Sequence, residues 1–255
     1  MKLRNLMFFV VIVAATVFIS YVNSKDSEVR LMTYNVRNAI GVDGVMDYQR
    51  IASVIMHADP DVVALQELDS MTRRSRGRDL LASLAGATGM RATFAKAIDY
   101  DGGSYGIGVL SKQTPLSVRT VALPGSEEAR RLLIVEFKDY VFACTHLSLT
   151  EADRMRSVEL IGSAASGWEK PFFIAGDWNM EPDDAALQAM QQDFELLSNT
   201  GLYTYPADLP TACLDYIGVM RGTARNLEVV SADVIDVPDA SDHRPVVVTV
   251  DFAVK

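Results

Sequence analysis

The chain carries the sequence Phe-Phe-Ile-Ala-Gly-Asp-Trp-Asn at positions 172–179. The apolar run Phe172–Ala175 predicts a buried strand, and Asp177 and Asn179 follow at its carboxyl end. Because side chains two residues apart on an extended segment point the same way, we expect these two to converge on one point. Trp178, between them, should point the other way into packing. A polar turn that merely ends the strand is the alternative explanation.

Strand-like and helix-like segments are interleaved around this stretch. The predicted strands cover residues 29–34, 62–66, 92–97, 106–111, 116–122, 131–137, 140–145, 172–175, 214–219, 227–234 and 246–252. The predicted helices cover residues 48–57, 79–88, 150–166 and 183–192, the third with Thr150 as its cap and Asp153 in a capping-box position. Several strands are apolar throughout, which indicates that both of their faces are covered. We therefore expect residues 25–255 to form one domain with two packed sheets and helices outside.

The composition of the chain limits the classes of function. Its hydrophobic content of 49% is enough for a sizeable core, and its net charge is −9. The first 24 residues contain only two charged side chains, Lys2 and Arg4, so the body alone carries −11. An acidic body argues against indiscriminate binding to nucleic acid backbones. It does not exclude a nuclease, because a metal ion can supply local positive charge.

The N-terminal segment has its own pattern. Leu6 to Val22 is nearly all apolar and follows Lys2 and Arg4, the layout of a secretory signal or an N-terminal membrane anchor. The apolar stretch is short for a membrane-spanning helix, and a buried core helix is the third alternative. A secretory signal or a membrane anchor at residues 1–24 would each export the catalytic body from the cytoplasm.

The two cysteines, Cys144 and Cys213, are too few for a disulfide framework or a zinc cluster. We expect two free, buried thiols, and a single bridge is the alternative.

Polar side chains recur where predicted strands begin or end. They are Asn35, Glu67, His146, Asp177 with Asn179, Asp215, and Asp242 with His243. Each position alone is typical of a turn, but functional groups concentrate at strand ends, and this set includes two of the three histidines. Oxygen donors suit a hard cation such as Mg²⁺ or Mn²⁺. A carboxylate beside an amide can orient and deprotonate a water molecule.

Seven short motifs occur in order along the chain. They are Thr33-Tyr34-Asn35-Val36, Gln66-Glu67-Leu68-Asp69, Tyr105-Gly106-Ile107-Gly108-Val109-Leu110-Ser111-Lys112, Thr145-His146-Leu147, Gly176-Asp177-Trp178-Asn179, Leu214-Asp215-Tyr216-Ile217 and Ser241-Asp242-His243-Arg244-Pro245. The ordered set resembles the endonuclease/exonuclease/phosphatase family, of the deoxyribonuclease I-like superfamily. The resemblance covers about residues 29 to 252. It implies an α/β fold, a four-layer α/β sandwich of two facing mixed β-sheets with helices outside. Family members hydrolyse phosphoester bonds with a divalent metal, usually Mg²⁺.

The resemblance also implies roles for individual residues. Glu67 is the main metal ligand, Asn35 a ligand or phosphate contact, and Asp242 a further carboxylate on the metal side. Asp177 orients or deprotonates the attacking water, and Asn179 holds that water or the phosphate.

The histidines are expected to contact the substrate. His243 contacts the scissile phosphate while Asp215 fixes its tautomer, and His146 is a second donor to phosphoryl oxygens. Tyr105 is expected to contact the phosphate, although it is offset by one residue from the nuclease pattern. Arg37 stands where some nucleases of the family carry a second acidic residue, which argues against two metals.

One basic cluster, Thr72-Arg73-Arg74-Ser75-Arg76-Gly77-Arg78, follows Glu67 closely. We expect Arg73, Arg74 and Arg76 either to capture an anionic substrate or to form a solvated loop. Arg130 and Arg131 open a predicted strand, and we expect them to be surface charges; the alternative is that one of them assists the same site.

The sequence therefore predicts a metal-dependent phosphoesterase that acts on a phosphomonoester or phosphodiester by in-line attack of water. A small or lipid-borne substrate, possible contact with a membrane surface and a monomeric state are expected. A secreted nuclease acting on DNA or RNA is the first alternative. A catalytically inert binding module on the same fold is the second.

Overall fold

The computed structural model describes residues 28–223 and 227–252, and these ranges contain twelve strands and four α-helices. The strands are β1 (Glu28–Asn35), β2 (Val62–Ser70), β3 (Arg91–Tyr100), β4 (Gly103–Ser111), β5 (Ser117–Leu123), β6 (Arg130–Glu136), β7 (Val141–His146), β8 (Phe172–Asp177), β9 (Phe194–Leu196), β10 (Asp215–Met220), β11 (Glu228–Val234) and β12 (Val246–Asp251). The helices are α1 (Tyr48–Ala58), α2 (Leu80–Thr88), α3 (Glu151–Ala165) and α4 (Ala185–Asp193). The predicted N-terminal segment, residues 1–24, lies outside the described residues.

The strands form two six-stranded sheets. The first has the order β11-β12-β1-β2-β4-β3 and the second the order β5-β6-β7-β8-β10-β9. In each sheet one central pair is parallel, β1 with β2 and β7 with β8, and the other pairs are antiparallel. Both sheets are therefore mixed, as predicted.

Three apolar clusters separate four layers. The inner faces of the two sheets pack on each other through side chains such as Leu31 and Val109 from the first sheet and Phe142 and Phe173 from the second. Helices α1 and α2 cover the outer face of the first sheet, and α3 and α4 cover that of the second. This arrangement confirms the prediction of a four-layer α/β sandwich.

Local sequence explains where the first helices begin and end. The Asp47 carboxylate accepts hydrogen bonds from the backbone of Gln49 and Arg50 at the start of α1. At the start of α2 the Asp79 side chain accepts from the backbone of Ala82, and Gly89 ends that helix in the left-handed conformation. These capping residues agree with the boundaries predicted from the sequence.

The structure departs from the predicted elements most clearly at β2, at β9 and at the start of α3. Strand β2 continues past Gln66 to Ser70, and the short strand β9 was not predicted. The prediction of a capping box at Thr150 was wrong. Thr150 makes no side-chain cap bond, and the Asp153 carboxylate instead accepts from the Ser126 backbone and the Ser148 hydroxyl. A tertiary contact has displaced the local one.

Both cysteines are free and buried, as predicted. Cys144 lies between the two sheets and Cys213 lies among the helices and the outer face of the second sheet. Among the residues that the structure describes, no helix is both long and apolar enough to cross a membrane.

The strand directions bring one end of each sheet to a common rim. Parallel pairing aligns Asn35, at the carboxyl end of β1, with Gln66, next to Glu67 within β2, and it aligns His146 with Asp177 at the carboxyl ends of β7 and β8. Strand β10 runs antiparallel to β8 and pairs Asp215 with Asp177. The predicted strand-end residues therefore lie on the same rim.

Candidate active site

Asn35 connects the two sheets at this rim. Its side-chain nitrogen donates to Glu67 Oε1 at 2.9 Å and to Asp177 Oδ2 at 3.0 Å. Its side-chain oxygen accepts from the backbone of Arg37, and its backbone oxygen accepts from the Ser241 hydroxyl. The amide group of Asn35 therefore holds two carboxylates in position, whereas the sequence suggested a metal ligand or a phosphate contact.

Glu67 lies at an irregularity in β2. The pairing of β2 with β4 changes register between Leu65 and Leu68, and Glu67 has a left-handed backbone with φ of 60°. Such a conformation in a non-glycine residue is uncommon, and it often occurs where a side chain has a functional position. Burial raises the pKa of Glu67, and the charges of Asp242 and Asp177 act in the same direction.

His243 is held by a carboxylate on the opposite sheet. Its Nδ1 lies 2.8 Å from Asp215 Oδ2, and its Nε2 lies 3.7 Å from Asp177 Oδ2. Burial alone would lower the pKa of His243, but the charges of Asp215 and Asp177 raise it to about 10. At neutral pH this imidazole is a cation that donates to Asp215 and turns its other N–H towards Asp177.

His146 faces the same Asp177 oxygen, with its Nε2 at 3.5 Å. Burial lowers the pKa of His146 to about 4, and the Arg130 guanidinium acts in the same direction against the charge of Asp177. This imidazole is neutral at neutral pH. The two imidazoles of the site thus carry different charges.

A network anchored on Glu127 supports the segment after His146. The Glu127 carboxylate accepts from Arg130, from the Ser148 hydroxyl and from the backbone of Leu149. Arg130 is 6% exposed and also pairs with Glu128, so the expectation that it is a surface charge was wrong.

Asp242 lies beside a strained turn. Residues Arg37–Ala39 have left-handed backbones with φ of 45°, 51° and 56°, and Arg37 Nε lies 3.4 Å from Asp242 Oδ2. Each such conformation costs roughly 1–2 kcal/mol outside glycine. Arg37 therefore pairs with a predicted metal-side carboxylate.

Asn179 does not follow the alternation that the sequence predicted. Its φ of 51° is left-handed, and its backbone N–H donates to Asp177 Oδ1 at 3.0 Å. The strand has already ended at Asp177, so the rule for residues two apart does not apply. The Asn179 amide instead donates to Leu147 and ties Asp177 to the segment after His146. Trp178 is fully buried against Tyr216, as predicted.

The three predicted arginines of the basic loop take different positions. Arg74 makes two hydrogen bonds to the fully buried carboxylate of Asp69, at 2.6 and 2.7 Å. Arg73 pairs with Asp101 at 2.8 Å, and Arg76 is exposed in a left-handed turn. Of the three, Arg74 reaches the cleft beside Glu67.

That cleft has a volume of about 140 Å³. Its lining residues are Glu67, Arg74, Ile98, Tyr100, Tyr105 and Glu128. Tyr105 and Glu128 also line an adjoining pocket with Arg130 and His146, so the cleft leads from Glu67 towards His146. Tyr105 thus lies between these two site residues, where the sequence placed a phosphate contact.

Sequence reasoning did not identify Tyr100, Glu127 or Glu128 as site residues. Tyr100 ends β3 and carries the Arg74 guanidinium 4.5 Å from its ring centre. Glu127 and Glu128 lie in a polar segment with no strand pattern. The one available signal was the run Glu127-Glu128-Ala129-Arg130-Arg131, in which opposite charges stand three residues apart.

The site fits a divalent cation. The carboxylates of Asp177 and Asp242 repel that of Glu67 and raise its pKa. A cation beside the three carboxylates would relieve this repulsion. Among the described residues, Asp177, Asp215 and His243 also place one ligand-type atom each within 4.8 Å of the others. In this second group the short Asp215–His243 contact already holds a proton. The oxygen donors of Glu67 and Asp242 are the better match to a hard cation.

A family model described as the endonuclease/exonuclease/phosphatase family matches residues 32–243. The matched range contains every candidate site residue named from the sequence. No match was found among curated proteins.

Solved structures share the fold. An endonuclease/exonuclease/phosphatase from Beutenbergia cavernae DSM 12333 has a TM-score of 0.70 and 22% identity, over 89% of this chain and 72% of that chain. A mannosyl-6-phosphatase from Bacteroides thetaiotaomicron VPI-5482 has a TM-score of 0.70 and 18% identity, over 88% of this chain and 100% of that chain. The human Nocturnin catalytic domain with bound sulfate has a TM-score of 0.67 and 20% identity, over 89% and 94%. At these identities the likeness shows the fold.

Proposed function

We propose that this chain, which belongs to the endonuclease/exonuclease/phosphatase family, hydrolyses a phosphate ester with the help of a divalent metal ion, Mg²⁺ or Mn²⁺. Members of this family are phosphoester hydrolases. The observation that carries the proposal is that two imidazoles, those of His146 and His243, face the same carboxylate oxygen of Asp177 on the rim shared by both sheets. This arrangement offers a proton acceptor for water and two N–H donors for phosphoryl oxygens.

Each side chain has a defined part in this reaction. Asp177 accepts the proton of the attacking water, while Asn35 and the backbone of Asn179 fix the orientation of its carboxylate. The His243 cation donates from Nε2 to a phosphoryl oxygen, because Asp215 occupies Nδ1. Neutral His146 is the second donor. Glu67 and Asp242 would hold the metal ion, which when bound supplies positive charge beside the phosphate.

The charge of the body favours a small ester. Residues 25–255 carry a net charge of −11, which argues against long nucleic acids. We propose an exported enzyme that acts on a small or lipid-borne phosphate ester.

The test is an assay of the full chain on phosphomonoesters, phosphodiesters, DNA and RNA, with Mg²⁺, with Mn²⁺ and with a chelator. We expect turnover of a small ester that the chelator abolishes. Preferential cleavage of DNA or RNA would support the nuclease alternative instead. Metal-dependent thermal stabilisation without turnover of any ester would indicate an inert binding module.

A substitution of Glu67 tests its assignment as a metal ligand. Glu67→Gln should raise the metal concentration needed for half-maximal activity by about tenfold or more, since one charged oxygen ligand is lost. The matched control is Glu136→Gln, on β6, whose carboxylate pairs with Lys170 and Ser117 outside the site. Equal metal requirements in both variants would contradict the assignment of Glu67.

A further inference from the structure

The loop between β9 and β10, residues 197–214, leaves the second sheet and contacts the segment that precedes β12 in the first sheet. Two backbone hydrogen bonds of 2.7 Å join them, from the N–H of Ala207 to the Asp242 carbonyl and from the N–H of Arg244 to the Thr204 carbonyl. The guanidinium of Arg244 adds a third bond, from Nε to the Ala207 carbonyl at 2.7 Å. The loop is therefore fixed to the residues on both sides of the site imidazole that lies between Asp242 and Arg244.

Tyr205 lies in this loop, and its backbone is held in place. Its N–H donates to the Ala212 carbonyl at 3.0 Å, and its carbonyl accepts from the N–H groups of Thr211 and Ala212 at 2.8 Å each. The hydroxyl of the preceding Thr204 accepts from the N–H of Leu214, directly before β10, at 3.1 Å. The side chain of Tyr205 thus starts from a fixed backbone, although it belongs to a surface loop.

The ring of Tyr205 packs against the imidazole of His243. The two ring centres lie 4.8 Å apart and the planes are inclined by 45°. This distance is typical of aromatic pairs that stabilise each other. His243 is 5% exposed whereas Tyr205 is 37% exposed, so the tyrosine ring is part of the cover that separates the imidazole from solvent.

The hydrogen bond to Asp215 does not by itself fix the plane of the His243 ring. It holds Nδ1 at 2.8 Å from Asp215 Oδ2, but the torsion that turns the ring about its Cβ–Cγ bond has only a broad preference. A rotation of the ring would move Nε2, which lies 3.7 Å from Asp177 Oδ2. Tyr205, packed against the ring, opposes that rotation.

We propose that Tyr205 is a positioning residue, whose ring keeps the His243 imidazole in the orientation from which Nε2 donates to a phosphoryl oxygen. The role belongs to the aromatic ring and not to the phenolic hydroxyl. The assignment rests on the proposed function, in which His243 contacts the phosphate. It deepens that function by adding a residue that acts through His243.

The kinetic test compares Tyr205→Ala with Tyr205→Phe on two esters that differ in their organic group. We expect Tyr205→Ala to lower kcat about tenfold, because a donor displaced by about 1 Å can cost about 10²-fold and Asp215 still restrains the ring. The loss should be equal for both esters, with KM changed by less than about twofold, because the substrate itself loses no contact. Tyr205→Phe keeps the ring and should retain the kcat of the wild type.

Two further variants support the comparison. The matched control is Tyr203→Ala, which removes a tyrosine that is 50% exposed and lies two residues earlier in the same loop, and it should retain the kcat of the wild type. Arg244→Lys loses the Nε donor to Ala207 but keeps a positive charge beside Asp236. Because it loosens the loop and leaves Tyr205 intact, we expect kcat to fall about threefold. Melting curves verify that each variant is folded.

An NMR measurement tests the positioning without turnover. The Nδ1 proton that His243 donates to Asp215 is followed in the full, metal-free chain with ¹⁵N-labelled histidine. We expect this proton to exchange with water about tenfold faster in Tyr205→Ala than in the wild type, because the imidazole loses part of its cover and its restraint. Tyr205→Phe and Tyr203→Ala should exchange at the rate of the wild type.

The outcomes separate this inference from the proposed function. Faster exchange in Tyr205→Ala together with a uniform loss of kcat would support the assignment. Faster exchange in a chain whose wild type turns over no ester would remove the proposed function and leave the positioning of His243 by Tyr205 standing. Unchanged exchange, or an unchanged kcat in an active enzyme, would overturn the assignment. A loss that appears in KM and differs between the two esters would also overturn it, because Tyr205 would then contact the substrate.

Discussion

His146 and His243 occupy the two sides of one rim, and they differ in what surrounds them. His146 ends β7 in the second sheet, next to the Arg130 guanidinium, and burial keeps it neutral with a pKa of about 4. His243 precedes β12 of the first sheet, next to the Asp215 carboxylate, and that partner reverses the effect of burial and raises its pKa to about 10. Both face Asp177.

The difference shows that burial does not decide the charge of an imidazole when a partner is in contact. One side of the rim supplies a permanent donor with positive charge, and the other supplies a neutral donor. Two charged imidazoles would repel each other. One cation and one neutral donor avoid that repulsion and add positive charge beside the phosphate to the charge that a metal ion would supply.

Loss of the carboxylate that both imidazoles face should have the largest effect. Asp177→Asn removes the proton acceptor, and general base catalysis contributes about 10²–10⁴-fold. We expect kcat to fall by about 10³-fold with little change in melting temperature. The matched control is Asp61→Asn, because Asp61 lies beside β1 and β2 at the far end from the rim and accepts from Arg30. Comparable losses in both variants would contradict a specific role for Asp177.

Asp215→Asn should reduce the difference in pKa between His243 and His146. Without the Asp215 charge, burial lowers the pKa of His243 against the remaining charges of Asp177 and Asp242, and we expect kcat to fall by about 10²-fold at neutral pH. The wild-type pair stabilises the fold fully below the unfolded pKa of about 6.5 and loses this contribution as the pH rises through about 10. Melting curves from pH 6 to 10 should therefore fall more steeply for the wild type. Parallel curves would show that the pair does not form as described.

Arg130→Gln should reduce the difference in pKa between the two histidines by raising the pKa of His146. Removal of the guanidinium raises the pKa of His146 above about 4, but burial, the larger cause, keeps it below the ordinary value of 6.5. The neighbouring Arg131→Gln is the control, because Arg131 donates to the backbone of Lys96 and is partly exposed. NMR titration of the His146 ring protons measures this pKa in both variants. An unchanged pKa in Arg130→Gln would contradict the proximity of Arg130 and His146.

Glu127→Gln should have the smallest effect, on stability. It weakens three hydrogen bonds that hold the segment after His146, and we expect a loss of about 1–2 kcal/mol in the free energy of unfolding. Burial alone would raise the pKa of Glu127, but Arg130 and these donors lower it to about 2. Its contribution is therefore full above about pH 4.5 and lost as the pH falls through about 2. The control, exposed Glu159→Gln, should lose little, and equal losses at pH 7 would contradict the network.

The sequence predicted the fold well because its signals are local. Apolar runs identified the main strands, and Asp and Gly residues identified the ends of α1 and α2. Strand β9 was missed because three residues, Phe194–Leu196, are too few to show a pattern. The continuation of β2 past Glu67 was missed because it depends on a register shift against β4, a distant partner.

The sequence predicted which residues form the candidate site better than it predicted the contacts between them. The strand-end residues do lie on one rim, but the left-handed backbone of Asn179 was not evident from alternation. The pairing of Arg74 with Asp69 was not predicted, because the sequence does not show that the Asp69 carboxylate is buried within reach of Arg74. The difference in charge between the two histidines arises from burial at His146 and from the Asp215 carboxylate at His243, and Asp215 lies 28 residues away from His243 along the chain. Spacing alone does not show which charge each histidine meets.

The most direct test is NMR titration of the histidine rings in the full, metal-free chain. Only three histidines are present, and His57→Gln assigns the exposed one, so the signals of His146 and His243 can be separated. We predict one ring that titrates near pH 4 and one near pH 10. Two rings that both titrate near the ordinary value of 6.5 would contradict the division of charge on which the proposed chemistry depends.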